Sequence, residues 1–247
     1  MVSTSTTYLI TGSSRGIGLG LVEVYLGRAN TTVISTVRSI SDTTSLESLQ
    51  KLKAGANSKL IIVKIDSTSA NDAGEAVRLL QTEHGITALD TVIANAGICT
   101  TSGLGPVAQT PLAEIRSHFE VNTIGTLALF QAAVPLLETS RNGKFVALSD
   151  STADLMADPF SAYGVSKAAL NFIVRKIHHE HPKITSTAIY PGWVQTQMGS
   201  EAAEKIKPTD PLISVEESVA GVVNIIDNAT REETSGTLVT FDKALSW

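Results

Sequence analysis

The sequence of 247 residues predicts an α/β fold: one doubly wound parallel sheet of about seven strands, with helices on both faces. Three observations carry that expectation. Short aliphatic or β-branched runs alternate with longer segments of helical period along most of the chain. The short runs are apolar at consecutive positions, as strands covered on both faces are. A glycine-rich turn follows the first run and opens the first helical segment. No Pro/Gly/Ser-rich linker and no abrupt change of composition divides the chain, so residues 1–247 are expected to form a single domain.

The expected strands are Tyr8–Thr11, Thr32–Val37, Leu60–Ile65, Thr91–Ala94, Lys144–Leu148, Ser186–Tyr190 and Thr237–Phe241, each bounded by Gly, Asn, Asp or Ser. The helical segments between them are Gly16–Gly27, Thr44–Ala54, Ala70–His84, Leu112–Leu137, Ala162–Glu180 and Val215–Asn228. In Leu112–Leu137 the apolar residues Ile115, Phe119, Ile124, Leu127, Phe130 and Val134 recur at helical spacing, and Pro111 precedes the first turn. Right-handed crossovers wind such a chain into a sheet whose ligands bind beyond the carboxyl ends of the strands.

Bulk composition excludes several classes. A net charge of −5 and a pI near 5.5 do not suit a nucleic-acid binder. Cys99 stands alone, so no intramolecular disulfide forms, as suits a reducing compartment. The N-terminus has no basic region and no long apolar run, and no stretch reads as a membrane span. A cytoplasmic protein with no membrane and no nucleic-acid partner is expected.

The turn Thr11-Gly12-Ser13-Ser14-Arg15-Gly16-Ile17-Gly18 lies where backbone N–H groups and a helix N-terminus can receive a pyrophosphate. Arg38 follows the second strand, where no acid is present to hold a ribose 2′-hydroxyl, and Arg15 lies in the turn itself. Two guanidinium groups there suit a 2′-phosphate and hence NADP(H), although both also read as ordinary surface arginines. Asp66, after the third strand, either accepts from an adenine amino group or caps the next helix. Asn95-Ala96-Gly97 after the fourth strand is a small-residue turn that lets backbone lie against a ribose, or a plain strand-ending turn.

Tyr163 and Lys167 stand four residues apart in a helical segment and so share a face. A phenol titrates near ~10, and a neighbouring ammonium is expected to lower that value towards useful proton exchange. Lys167 can also donate to a nicotinamide ribose. Elsewhere the same spacing is only a half-buried Tyr beside a solvated Lys.

With its Thr11-Gly12…Gly16-Ile17-Gly18 turn, Asn95-Ala96-Gly97, Asn122, Tyr163…Lys167 and Pro191-Gly192 in this order, the chain resembles short-chain dehydrogenases/reductases of Rossmann type. Pro191–Gly199 is similar to the branch of fungal and bacterial ketoreductases and carbonyl reductase-like proteins. The resemblance implies NADPH-dependent reduction of a small-molecule ketone or aldehyde and a homodimer or homotetramer. It further implies Tyr163 as general acid, Lys167 as its partner, Asn122 as the anchor of a proton-relaying water, and Val194 and Thr196 on the nicotinamide carboxamide. Read from its residue type alone, Asn122 is a polar helix residue bonding backbone. The alternatives are a non-catalytic NADPH-binding redox sensor and an NAD-dependent alcohol dehydrogenase.

One position departs from the pattern. The family serine that donates to the substrate carbonyl falls, without a gap, at Asp150, flanked by Ser149 and Ser151. A one-residue shift of the loop would bring Ser151 or Ser149 into that role; otherwise Asp150 is protonated and donates, or activity is weak. His178-His179-Glu180-His181 reads as a solvated helix end rather than a metal site, and residues 193–211 as a candidate substrate lid or a surface loop with a short helix.

Overall fold

The structure, a computed structural model, describes residues 5–151, 159–208, 212–240 and 244–245. In chain order the elements are β1 (Thr6–Ile10), α1 (Gly16–Leu26), β2 (Thr31–Val37), α2 (Thr43–Gln50), β3 (Lys59–Lys64), α3 (Asp72–His84), β4 (Thr91–Ala94), α4 (Leu112–Phe119), α5 (Gly125–Leu137), β5 (Lys144–Leu148), α6 (Ser161–Glu180), β6 (Thr185–Ile189), α7 (Gln197–Ile206), α8 (Val215–Asn228), β7 (Leu238–Val239) and β8 (Ala244–Leu245). The sheet order is β3-β2-β1-β4-β5-β6-β7-β8, parallel except for the last pair. The seven expected strands are thus present as a parallel doubly wound sheet, with a two-residue antiparallel β8 added at the edge. Phe241, the expected end of the seventh strand, lies outside the described residues.

Successive strand residues feed opposite cores, as the pleat requires. Leu9 packs with Ile34, Val92 and Phe145 against α3, α5 and α6, whereas Ile10 and its neighbours Val33, Val146 and Ile189 pack against α1 and α8. Both faces are therefore apolar, which is why the strands read as continuous hydrophobic runs. Parallel register sets Ile10 beside Ser35 on one side and Ile93 on the other, so the strand ends and their loops gather on one rim.

The expected single helix over Leu112–Leu137 forms, but not as a regular one: a π segment, Glu120–Ile124, separates α4 from α5. Within these 26 residues an 18-residue window reaches a mean hydropathy of 1.2, enough by length and composition for a membrane span, contrary to the expectation that no segment would. Its apolar character has a use in the fold: Leu129, Phe130, Ala133, Leu136 and Leu137 are buried in the core between helix and sheet.

Candidate active site

A crevice of about 910 Å³ opens along the carboxyl ends of the strands, reaching from the glycine turn and Arg38 through Asn95–Cys99 to Tyr163, Lys167 and α7. One end is built from backbone. Gly12 and Gly16 have positive φ (+60° and +54°), and a Cβ on Gly12 would stand 2.8 Å from Ala96 Cα. A Cβ on Gly18 would stand 2.5 Å from both Asn95 Nδ2 and Gly12 O. Asn95 explains the closeness: its Nδ2 donates to Thr11 O (2.8 Å) and Gly12 O (2.9 Å), while Thr11 Oγ1 accepts from the N–H groups of Asn95 and Ala96. Asn95 is thus a brace for the turn. No side chain caps the N-terminus of α1, so its N–H groups face the crevice over Ser14 and Ile17. A turn packed this tightly on Asn95 and Ala96, with the start of α1 uncapped by any side chain, fits a dinucleotide pyrophosphate.

Arg38 and Arg15 are both exposed on the crevice rim. Arg15 Nη1 donates to Gln197 Oε1 at 2.6 Å, joining the glycine turn to the first residue of α7, a partner that sequence spacing could not reveal. Asp66 lines the crevice, but its Oδ1 accepts from the N–H and hydroxyl of Thr68 in a local turn, and α3 begins only at Asp72, so Asp66 is not the cap of that helix.

The other end is built from side chains. Tyr163 and Lys167 lie one turn apart on α6 and both line the crevice. Lys167 is 5 % exposed; its Nζ donates to Leu148 O at 2.8 Å and stands 5.4 Å from the Tyr163 ring centroid. Burial lowers the Lys167 pKa to about 8, with the nearby Asp150 charge opposing the shift. The Tyr163 phenol is pushed well above its ordinary range, first by burial and then by Asp150. That reverses the lowering expected from the sequence: Lys167 is aimed at a backbone carbonyl, and the Asp150 charge adds to the effect of burial.

Asn122 sits in the π segment and is fully buried. Its Oδ1 accepts from Ile98 N–H (2.8 Å) and its Nδ2 donates to Ile98 O (2.9 Å) and Ser166 Oγ (2.9 Å). The widened turn aims this amide sideways, clamping the segment after β4 to α6, with Gly97 close beneath it. Ser166, whose hydroxyl donates to Tyr163 O, completes the clamp and carries no distinguishing sequence signal.

After β5, Asp150 lines the crevice, where its charge acts on the Tyr163 phenol. Ser149 also lines the crevice but is buried, its hydroxyl donating to Asn171 Oδ1 at 2.5 Å, while Ser151, also buried, is not among the described residues lining the crevice. Asn171 fixes the arrangement by also donating to Asp150 O (3.1 Å). Its spacing was a usable signal, since Tyr163, Lys167 and Asn171 fall on one helical stripe.

Pro191, Gly192, Val194 and Thr196 all line the crevice after β6. Gly192 has φ +81°, and Thr196 Oγ1 accepts from Gly199 N–H to cap α7. Phe160, Trp193 and Leu104 form an apolar wall, with Phe160 and Trp193 edge to face at 5.9 Å. α7 is tied across the mouth by Lys205 Nζ, which donates to Thr101 O (2.6 Å) and Leu104 O (3.2 Å). Cys99 lines the crevice with its thiol pushed up to about 12 by burial, so it holds no thiolate near neutrality. Of the histidines near the end of α6, His178 pairs with Ser235 and His181 with Glu138, and among the described residues no three His/Cys/Asp/Glu groups are placed to hold a metal.

Residues 6–207 match the short chain dehydrogenase family. The chain is 42 % identical to the norsolorinic acid ketoreductase of Aspergillus parasiticus, over 95 % of this chain and 88 % of that one. It is 40 % identical to the corresponding ketoreductase of Dothistroma septosporum, over 95 % and 89 %. Among solved structures, NADPH-bound carbonyl reductase from chicken fatty liver superposes with a TM-score of 0.84 at 26 % identity, covering 99 % of this chain and 100 % of that one. The glycine turn, the braced Asn95 and the Tyr163–Lys167 helix all fall inside the matched span, and the chain belongs to the short-chain dehydrogenase/reductase family of oxidoreductases that act on carbonyl and CH–OH groups.

Proposed function

We propose that this protein reduces a ketone or aldehyde to the alcohol with NADPH, and that Tyr163 is the general acid. The observation that carries the reading is the meeting, in one crevice, of a backbone cradle at Gly12–Gly18 with the Tyr163–Lys167 pair. Bound there, NADPH supplies the hydride. Gly12, Ser14, Gly16, Ile17 and Gly18 would receive the pyrophosphate, with Ala96 and Gly97 against a ribose and Pro191, Gly192, Val194 and Thr196 along the nicotinamide. Arg38 and Arg15 would face a 2′-phosphate; the carbonyl reductase fold neighbour with NADPH bound supports this preference.

Tyr163 holds its proton firmly, which suits an acid, since the alkoxide forming on a reduced carbonyl is far more basic than a phenolate. Lys167, buried and charged below about pH 8, would steady the transient phenolate and return its proton through water anchored near Asn122. The apolar wall of Leu104, Phe160 and Trp193 excludes water and orients the substrate, with residues 193–211 as a lid that closes over it. Residues 209–211 lie outside the described residues. Val165 and Phe172, seven residues apart on one face of α6, are 48 % and 67 % exposed and support a homodimer or homotetramer built through this helix.

NADPH absorbance loss over a panel of simple ketones and aldehydes tests the reading. Turnover with NADPH and much less with NADH is expected. Tight NADPH binding with no turnover on the panel favours a sensor, and equal use of NADH removes the assignment of Arg15 and Arg38.

A further inference from the structure

The apolar wall of the crevice is backed by a short segment between β4 and α4, which turns through a 3₁₀ helix at Thr101–Gly103 and continues into Leu104 and Gly105. Leu104 shares one apolar cluster with Phe160, Ala202 and Trp193, and those three line the crevice. Gly105 pairs in parallel with Phe160: its N–H donates to Pro159 O at 2.8 Å, and its carbonyl accepts from Ser161 Oγ at 2.8 Å. From the other side Lys205 of α7 donates to Thr101 O and Leu104 O. The segment therefore joins α7 to the start of α6 behind the wall.

α4 grips this segment from beneath. His118 is fully buried, and the Thr100 N–H donates to its Nε2 at 3.1 Å. Nε2 therefore carries the lone pair, and Nδ1, 2.8 Å from Glu114 O, carries the hydrogen. Glu114, one turn earlier, accepts from Thr100 Oγ1 at 2.6 Å and from Ser102 Oγ at 2.7 Å. Gly103 lies so close that a Cβ there would stand 2.7 Å from His118 Cε1. A buried ring bonded at both nitrogens and pressed against a glycine has little freedom, and the turn seated on it has little more. We propose that His118 is a positioning residue for the carbonyl substrate: acting through Thr100–Gly105 it sets the Leu104, Phe160 and Trp193 wall, and Lys205 carries that hold to α7. This rests on the carbonyl-reductase reading. The wall meets the apolar part of the substrate before and during hydride transfer alike. Loosening it weakens ground-state and transition-state binding together, which raises KM and leaves kcat unchanged.

The experiment measures kcat and KM separately, with the most rapidly reduced carbonyl compound of the panel, for the wild type, His118→Asn, His118→Gln, Lys205→Met and the double variant His118→Asn/Lys205→Met. NADPH affinity by fluorescence confirms folded protein. Asn keeps a donor for Glu114 O but reaches no further, so Thr100 N–H loses its acceptor; Gln is long enough to offer Thr100 a carbonyl oxygen. His118→Asn is expected to raise KM about tenfold with kcat within about twofold, and His118→Gln to return KM to within about threefold of the wild type. Lys205→Met, on the exposed side, is expected to raise KM about fivefold, and the double variant about tenfold, because both act through one segment. An unchanged KM in His118→Asn overturns the proposal, as does a His118→Gln no better than His118→Asn, or single effects that multiply in the double variant. Where His118→Asn does not fold, Lys205→Met decides, and an unchanged KM there overturns the proposal as well. A wild type that binds NADPH but reduces nothing on the panel sinks the underlying carbonyl-reductase reading instead.

Discussion

The two ends of the crevice are made of different material. Around Gly12, Gly18 and Asn95 the wall is backbone, and its shape is dictated by contacts too close for a methyl group. Around Asp150, Tyr163 and Lys167 the wall is side chain, and its behaviour depends on where protons sit. A steric site tolerates almost no substitution but is indifferent to pH. An electrostatic site accepts isosteres yet changes character with one proton. The difference teaches that cofactor binding and chemistry can be broken separately in this protein.

Tyr163→Phe should separate them most widely: the ring and its packing remain while the proton is gone. Steady-state kinetics should show kcat/KM reduced by about 10³-fold, with NADPH affinity by fluorescence within about twofold. Lys167→Ala should lower kcat/KM about 10²-fold. In the protein with Lys167 intact, the needed form is the ammonium, so activity should decline as pH rises through about 8 and not as it falls. A rise across that interval would reverse the role given to Lys167.

At the steric end, Gly18→Ala should cost about 1–3 kcal/mol of stability, visible as a lowered Tm, because its Cβ meets Asn95 Nδ2 and Gly12 O. The loss should be the same at pH 6 and pH 8, roughly, since no titrating group is involved. Arg38→Ala should weaken NADPH about tenfold and leave NADH nearly unchanged, as expected for one charge-assisted contact to a phosphate; titration calorimetry with both cofactors decides this. Gln197→Ala, which frees Arg15 from α7, should have the smallest effect, about twofold on the KM for the carbonyl substrate.

Much of this was legible in the sequence, for physical reasons that differ by residue. Glycine positions report backbone geometry directly, so Gly12, Gly16 and Gly18 located the cradle without knowledge of what lay opposite. Helical spacing placed Tyr163 and Lys167 on one face. It could not show that Lys167 would turn to Leu148 O or that the Asp150 charge would act on Tyr163, since both depend on how β5 and α6 pack. The same packing turned the Ser149 hydroxyl to Asn171, although Ser149 still lines the crevice. The π segment at Glu120–Ile124 was hidden because its apolar positions still fit an ordinary helix, although it is what aims Asn122. Contacts between distant segments, such as Arg15 with Gln197, leave no local trace at all.

A crystal structure with NADPH bound reaches the central claim most directly, because everything rests on the reactive end of the cofactor lying beside Tyr163. The nicotinamide ring should lie against Pro191–Thr196 with its C4 within reach of a carbonyl held by the Tyr163 hydroxyl, and the pyrophosphate over Gly12–Gly18. A dinucleotide bound elsewhere, or in the crevice with the nicotinamide at the Arg38 end, would contradict the account.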